Sequence, residues 1–450
     1  MERTCRRALR LDLLFYGVSL VFAAGNAVFS EFYGYRVWGN FATAGYLVAV
    51  ALTTAQLVSR TGLSGASRTA ARWLWSRWTP VVVVALLAGV VPLLVLIFRR
   101  DPAFVWGDWP WSFPAQPEVW VVERSASLLL ESGTPYPDLG ALGRAPHPDD
   151  YTPYGPAMTV FGLPRALFGD GPFTDSRVAF AVVTVLVIVL ALKVMRWPRV
   201  PVLAAQLAAI SPLTLLTLVV AGDDVPVIAL IVLAAALAFR AGPAWAGIVI
   251  AVVITMKLTA LPALAVLAVA IAATRGARAM LIFFGTVITT TAALVIPVLS
   301  VDPQSFVEHV VLYPAGLGEA GSPAASPLPG HLLAQLGSVG HAVSLALLAL
   351  AAGAIATWLV IRPPRDPADV MLRTAVGLGT AIILAPATRW GYLVYPLAML
   401  GALLGFSAAR RQEVPGTPAG PTGDHARPPD SAPETDDDPV ASPDTRGIQA

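Results

Sequence analysis

The chain has 450 residues, of which 56% are hydrophobic and 13% are charged, and its formal net charge is +2. A composition this apolar excludes an ordinary water-soluble domain and indicates a polytopic membrane protein. The small net charge gives no reason to expect nucleic acid as a partner, and a single cysteine, Cys5, excludes an internal disulfide.

The order of apolar and basic segments predicts a membrane topology. About 17 to 25 apolar residues can cross a bilayer as a helix, and short arginine-rich loops mark the cytoplasmic side. The predicted helices 11–30 and 41–59 form a hairpin. This hairpin returns to a basic loop that contains Arg60, Arg68, Arg72 and Arg77. We therefore expect residues 1–78 to form an N-terminal hairpin followed by a cytoplasmic loop.

Residues 79–406 hold the remaining predicted crossings and two polar loops, 99–177 and 300–335, which we expect outside. The crossings are predicted at 80–98, 178–192, 201–220, a return to Arg240, 279–299, 341–361, 371–386 and 390–406. Arg410 and Arg411 place the end of the last helix inside. Residues 407–450 are rich in proline and aspartate and are predicted to be a disordered cytoplasmic tail.

Lys257 is the only charged residue in the apolar stretch from Pro243 to Ala273. A cation at membrane depth is costly, so we expect an anion, a polar cavity or water beside it. Both flanks of the stretch carry arginine, which predicts two half-length helices that meet near 257–262 and line a cavity. The fold class is therefore an all-α transmembrane bundle of about ten full crossings plus one broken pair, or twelve apolar helices.

The first external loop is predicted to contain interfacial helices. Its segment 118–132 has apolar residues at helical spacing, begins at Glu118 and ends at Gly133 and Pro135. A second apolar segment, 156–169, contains a proline and is too short to cross a bilayer, so we expect it to lie flat as well.

These features resemble the GT-C polytopic glycosyltransferases, and among them actinobacterial mannosyltransferase-like proteins that use polyprenyl-phosphate sugars. The resemblance covers about residues 80–406. It rests on an acid before a surface helix, a following G-x-P-Y turn, an aromatic-proline motif, a GDD turn, a lysine in a broken apolar stretch and a late arginine-tyrosine segment. In this chain they are Glu118, GTPY at 133–136, YTPYGP at 151–156, GDD at 222–224, Lys257 and RWGYLVYP at 389–396.

The resemblance implies transfer of a sugar, mannose first, from a polyprenyl phosphate to a lipid or glycan acceptor of the cell envelope. An inverting transfer needs a carboxylate base for the acceptor, and Glu118 is the candidate, with Glu123 and Asp150 as reserves. Lys257 and Arg389 would bind the donor phosphate. The site would face outside in the cell membrane, with both termini cytoplasmic.

Each assignment has a structural alternative. Glu118 could simply stabilise a helix start, and Asp150 could form a turn. Lys257 could pair with Asp223 or Asp224, and Arg389 could anchor a helix at the interface.

Further substrate contacts are expected from the aromatic-proline motif and from the second external loop. The candidates are Tyr151, Tyr154, His309 and His331. A lone loop histidine is more often merely solvated. Tryptophans 106, 109, 111 and 120 could stack on sugars, although an interfacial aromatic belt is the preferred interpretation.

No metal cluster is evident in the sequence and no cofactor is expected, because the lipid-linked sugar is itself a substrate. Two other classes of protein remain open. A transporter or flippase of an anionic or lipid-linked substrate would use Lys257 at a midplane pathway, whereas a structural protein would tolerate neutralisation of both Glu118 and Lys257.

Overall fold

The computed structural model describes residues 2–62, 73–100 and 113–413. This part of the chain is helical, and its only pairing of β type is one isolated bridge between Ala325 and Thr388. The predicted all-α fold class is therefore confirmed. The described residues up to Gln412 form one compact unit.

The helices are numbered here in chain order. They are α1 (Glu2–Phe29), α2 (Tyr33–Gly62), α3 (Trp78–Phe98, with a π-helical turn at Ala85–Val90), α4 (Pro117–Ser132), α5 (Leu163–Phe168), α6 (Ser176–Val194), α7 (Val202–Ala208), α8 (Pro212–Val220), α9 (Asp224–Arg240), α10 (Pro243–Met256), α11 (Leu261–Val301), α12 (Pro329–Ala334), α13 (Ser338–Ile361), α14 (Pro367–Leu384) and α15 (Val394–Glu413). Short 3-10 or π turns connect several of them.

Eight helices among the described residues are long and apolar enough to cross a membrane, or nine if the bent pair α7 and α8 is one span. The sequence predicts ten full crossings. The predicted crossing that returns to Arg240 is α9, which has only 17 residues, and α10, the first half of the predicted broken pair, has 14. The chain is thus a multi-pass membrane protein.

The N-terminal hairpin packs tightly against the rest of the bundle. A side chain at Gly39 would put its Cβ 2.4 Å from the backbone nitrogen of Ala27, so α1 and α2 can approach closely only because this residue is glycine. The indole of Trp38 donates to the carbonyl of Ala88 on α3, and the hydroxyl of Tyr46 donates to the carbonyl of Ile210. Of the predicted basic loop, 63–72 lies outside the described residues.

Arg77, at the end of that loop, forms two hydrogen bonds with Asp12 of α1 at 2.6 and 2.8 Å. Asp12 is buried and also accepts from the amide of Gln206 at 3.1 Å. The loop end is therefore tied to both the hairpin and α7.

The apolar stretch around Lys257 is broken at the predicted place. Helix α10 ends at Met256, Lys257 is extended (φ −144°, ψ 125°), and α11 begins after a single turn. The second half differs from the prediction because α11 continues to Val301, with one non-helical residue inside it, Gly276 (φ 78°). A positive φ favours glycine, which explains how the chain bends there without a separate loop.

The predicted surface helix of the first loop is present as α4, from a proline in its first turn to Gly133 at φ 78°. Its apolar face is buried in protein, with Val119 and Val122 fully covered. The second apolar segment forms two short pieces, Pro156–Phe161 and α5, instead of one flat helix.

These pieces pack onto α4, and a Cβ at Gly162 would lie 2.3 Å from the carbonyl oxygen of Val122. These contacts explain why the apolar face of α4 is buried in protein. Helical spacing in the sequence cannot distinguish a face covered by protein from one covered by lipid. At the other end, α15 continues into the segment predicted as a tail, and 414–450 lies outside the described residues.

Candidate active site

Glu118 and Arg389, two residues singled out by the sequence, contact each other. The Nη1 atom of Arg389 donates to Oε1 of Glu118 at 2.6 Å, across 271 positions of sequence. The second carboxylate oxygen, Oε2, is buried and has no hydrogen-bond partner among the residues that the structure describes. A buried acceptor without a donor is rare in folded proteins, so this oxygen has an unused capacity to accept a proton or a hydrogen bond.

Backbone contacts hold both residues in place. Glu118 lies in the first turn of α4, and the amide of Gln116 just before that helix donates to the carbonyl of Val220 at 2.8 Å. Next to Arg389, Thr388 donates to the carbonyl of Ala324 at 3.0 Å and accepts from the amide of Ser326 at 2.9 Å. The loop of residues 300–335 therefore fixes the position of the arginine.

The pKa of Arg389 is raised above its ordinary value. Burial by itself would lower this pKa, but the charge of Glu118 outweighs it. The guanidinium therefore stays charged.

Lys257 is held in an ion-pair cluster. Its Nζ lies 2.5 Å from Oδ2 of Asp223 and also pairs with Oδ1 of Asp224. The hydroxyl of Tyr395 donates to Asp224 at 2.7 Å, and that of Tyr154 donates to Asp223 at 3.2 Å. This is the ion-pair alternative that the sequence left open, and two carboxylates leave Lys257 with no excess positive charge for an anion.

Tyr154 connects the two groups. Its ring lies 5.2 Å from Nζ of Lys257, and its side chain is buried. Burial raises the pKa of Tyr154 well above its ordinary value, and the negative charges of Asp223 and Glu118 raise it further while Lys257 lowers it. Because Tyr154 interacts electrostatically with both Glu118 and Lys257, the Glu118–Arg389 pair and the lysine cluster belong to one polar region.

The carboxylate of Glu123, the first reserve base, is surrounded by hydrogen-bond donors. Arg100 donates to both of its oxygens, at 2.9 and 2.5 Å, and the amide of Ser176 donates to Oε1 at 3.0 Å. The guanidinium of Arg165 lies 3.5 Å from Oε2. An acceptor hydroxyl would have to displace one of these donors to reach the carboxylate of Glu123.

Asp150, the second reserve, is paired with Arg144 at 2.6 and 2.8 Å and accepts from the amide of His147 at 2.7 Å. The hydrogen bond from Arg144 lowers its pKa. It therefore performs the turn role that the sequence offered as an alternative, and it is not brought to Glu118.

The neighbouring Asp149 is not among the candidate residues predicted from the sequence. Burial raises its pKa, and the charge of Arg389 partly offsets that rise. It lines an open cavity of about 390 Å³ together with Arg100, Phe113 and Trp120. In the sequence, Asp149 is marked only by its position next to Asp150. That position does not show which of the two carboxylates faces the cavity.

His309 and Tyr151 lie in the interior and hold the loops 99–177 and 300–335 together. Nδ1 of His309 accepts from the amide of Thr152 at 3.0 Å, and Nε2 lies 2.9 Å from the carbonyl of Pro137. Burial lowers the pKa of His309 to about 4. Tyr151 stacks on Tyr313 with ring centroids 4.0 Å apart. Neither of the two is brought to the Glu118–Arg389 pair.

His331 lies at α12, where Nδ1 contacts the carbonyl of Pro386 at 2.8 Å and Nε2 contacts the amide of Gln335 at 3.0 Å. Its ring therefore contacts the segment that precedes Arg389. Trp120 lines the cavity named above, whereas tryptophans 106, 109 and 111 lie outside the described residues.

Within residues 2–62, 73–100 and 113–413, no group of three or more His, Cys, Asp or Glu side chains could hold a metal ion.

Comparison with known proteins gives one match. The family described as "Glycosyltransferase family 87" matches residues 151–386, which is just over half of the chain. No curated protein and no solved structure matches the chain.

Proposed function

This chain belongs to glycosyltransferase family 87, and from that premise we propose that it moves a sugar, with mannose the first candidate, from a polyprenyl phosphate to a lipid or glycan acceptor of the cell envelope. The multi-pass helical fold and the family make it a membrane glycosyltransferase of the GT-C type, with a sugar donor and an acceptor as substrates. What we propose is the identity of the donor and of the acceptor, and transfer on the outer side of the membrane.

The contact between Glu118 and Arg389 carries the proposal. Transfer from a lipid phosphate needs a base beside the acceptor hydroxyl and a cation beside the leaving phosphate. Glu118 can serve as the base and Arg389 as the cation, and their side chains are 2.6 Å apart. A planar guanidinium can bind a phosphate through two parallel hydrogen bonds. No other pair of the candidate residues combines a base that has an unused acceptor atom with a cation at the same place.

The reaction runs as a single displacement. The acceptor oxygen forms a bond to the anomeric carbon of the sugar while the bond from that carbon to the phosphate oxygen breaks. The electron pair of the broken bond goes to the polyprenyl phosphate, whose new charge Arg389 stabilises. Glu118 takes the proton of the acceptor hydroxyl. Attack opposite to the leaving group inverts the anomeric centre, as in inverting hydrolases that use one carboxylate as base.

Donor binding would also prepare the base. While Arg389 holds Glu118, the guanidinium occupies one oxygen of the carboxylate. A donor phosphate competes for the same guanidinium, and its arrival would release Glu118 toward the acceptor. The exchange predicts that the donor binds before the acceptor is deprotonated.

Lys257 is the weaker candidate for the phosphate. Because Asp223 and Asp224 both pair with it, an approaching phosphate would meet two carboxylates of its own sign. We propose that the lysine cluster shapes the cavity through Tyr154 and that Arg389 alone binds the phosphate. The same pairing removes the exposed midplane cation that a transporter would need.

The test is sugar transfer in membranes that contain the wild type, Glu118→Gln or Arg389→Lys, with radiolabelled polyprenyl-phosphate mannose and an envelope glycolipid extract. Glu118→Gln should lower the turnover about a hundredfold or more, since a positioned base contributes that much. Arg389→Lys should raise KM for the donor, since lysine cannot bind the phosphate through a planar fork.

Glu131→Gln is the matched control because Glu131 lies on the same helix and is exposed. It should transfer sugar as the wild type does. A Glu118→Gln protein that is folded by size-exclusion profile and retains wild-type turnover would remove Glu118 as the base. Absence of transfer by the wild type from both the mannosyl donor and its glucosyl analogue would refute the proposed donor class.

A further inference from the structure

The end of the N-terminal hairpin where α1 meets α2 forms a shallow, open cavity that has no role in the proposed reaction. Its volume is about 390 Å³, which is at the lower end of the roughly 300 to 1,000 Å³ typical of ligand pockets. The lining comes from the end of α1, the connection and the start of α2, namely Gly25, Asn26, Phe29, Ser30, Glu31, Phe32 and Tyr35.

The chemistry of this lining suits a hydroxyl-rich ligand. Phe29 is 82% exposed and Phe32 37%, so both offer an aromatic surface to the C–H face of a sugar ring. Glu31 supplies a carboxylate, which accepts hydrogen bonds from hydroxyl groups. The amide nitrogen of Asn26 donates to the carbonyl of Phe22 at 2.9 Å, which leaves its Oδ1 as an acceptor for a ligand. A purely lipid-facing surface would not need this set of acceptors.

The cavity is connected directly to the start of α4, where Glu118 lies. Tyr35, which lines the cavity, accepts a hydrogen bond from the amide of Gln116, the residue before the helix. A Cβ at Gly34 would be 3.5 Å from the carbonyl of Pro114, so the hairpin packs against the same segment. A headgroup held in the cavity would therefore lie beside the helix turn that carries the proposed base.

The family match covers residues 151–386, and the cavity is built from residues 25–35, outside that match.

We propose that this cavity binds the glycan headgroup of the acceptor and presents it to Glu118. The inference rests on the proposed function, because an acceptor exists only if the protein transfers sugar. Phe29 and Phe32 supply the stacking surface, while Asn26 and Glu31 accept hydrogen bonds from hydroxyls. Tyr35 is a positioning residue that ties the cavity to α4 through Gln116.

Two measurements test the site, and both use octyl mannoside as the acceptor probe. The first is photolabelling of membranes that contain the full chain with a diazirine-bearing octyl mannoside. The label should appear in the tryptic peptide 11–36, which spans the cavity, and unlabelled octyl mannoside should compete for it. Label found only in other peptides, or label in 11–36 that excess octyl mannoside does not reduce, would overturn the site.

The second measurement is initial-rate kinetics of the double variant Phe29→Ala with Asn26→Ala. Loss of one stacking surface and one hydrogen-bond acceptor should raise KM for octyl mannoside about tenfold and leave KM for the lipid-linked donor unchanged. Phe168→Ala is the matched control, because Phe168 is 80% exposed and lies away from the hairpin on α5. It should behave as the wild type.

The results distinguish a failure of the acceptor site from a failure of the proposed function. A wild type that transfers mannose, combined with an unchanged acceptor KM in the double variant, would refute the hairpin site and leave the proposed function intact. A wild type that transfers no sugar to octyl mannoside or to the envelope extract would refute the proposed function, and the acceptor site with it.

Discussion

The ion-pair cluster of Lys257 gives the sharpest prediction about stability. The side chains of Asp223 and Asp224 are 3% and 9% exposed, and Lys257 is the cation that pairs with both. Lys257→Met keeps the length and the apolar stem of the side chain but removes its charge. Two adjacent buried carboxylates would then remain without that counter-ion.

The expected loss in free energy of unfolding is about 3 to 5 kcal/mol, the range found when one partner of a buried ion pair is removed. Most of this loss comes from the charges left behind. Replacing both aspartates by asparagine in the Lys257→Met background should therefore recover most of the stability, since no buried charge remains.

The assay is unfolding of the purified protein in mixed micelles as the fraction of denaturing detergent rises, followed by the change in helical signal. Lys193→Met is the matched control because Lys193 is the only other lysine and its side chain is exposed. It should change the free energy of unfolding by less than about 0.5 kcal/mol.

A Lys257→Met protein as stable as the wild type, yet with a raised KM for the donor, would refute the reasoning. It would show that Lys257 is held for the phosphate and that its pairing with the aspartates contributes little to the fold. A loss of stability that the double aspartate replacement does not reverse would refute the electrostatic explanation and point to packing instead.

Two further predictions concern the loops. The pKa of His309 is lowered to about 4, below its ordinary value near 6.5, so the folded protein binds fewer protons there than the unfolded chain between these pH values. The free energy of unfolding should therefore fall by up to about 3 kcal/mol as the pH drops from 6.5 toward 4. In His309→Gln, the free energy of unfolding should depend less on pH over this range. An unchanged slope in His309→Gln would contradict the assignment. Gly155→Ala should destabilise the protein by about 3 kcal/mol or more, because its Cβ would lie 2.2 Å from the carbonyl oxygen of Thr255. Gly171→Ala, whose Cβ would meet nothing closer than 3.8 Å, serves as its control in the same unfolding assay, and equal stability of the two variants would disprove the steric argument.

Several elements could be predicted from local sequence because their causes are local. The start and end of α4 follow from a proline in the first turn and a glycine at positive φ after the last, and both lie where the sequence predicts them. The break at Lys257 follows from an apolar stretch too long for one crossing with arginine on both sides. The segment 156–169 is a counter-example, since its division into two pieces depends on close packing against Val122 of α4.

The candidate site was only partly predictable. The sequence marked Glu118 and Arg389 separately, yet gave no sign that they touch, and it favoured a ligand role for Lys257 that its two carboxylate partners now weaken. His309 was expected at the substrate, but it is buried between the loops 99–177 and 300–335. In each case the residue type was informative, while the environment that sets its role came from distant parts of the chain.

The sequence by itself determined that this protein is an all-α, multi-pass membrane protein, because the length and polarity of each segment fix where a helix can form and whether lipid can surround it. The tertiary structure alone decided how the charges pair. With 30 basic and 28 acidic residues, the sequence permits very many pairings. A buried charge is stable only beside a partner that the fold brings within a few ångströms, and for Glu118 that partner lies 271 residues away.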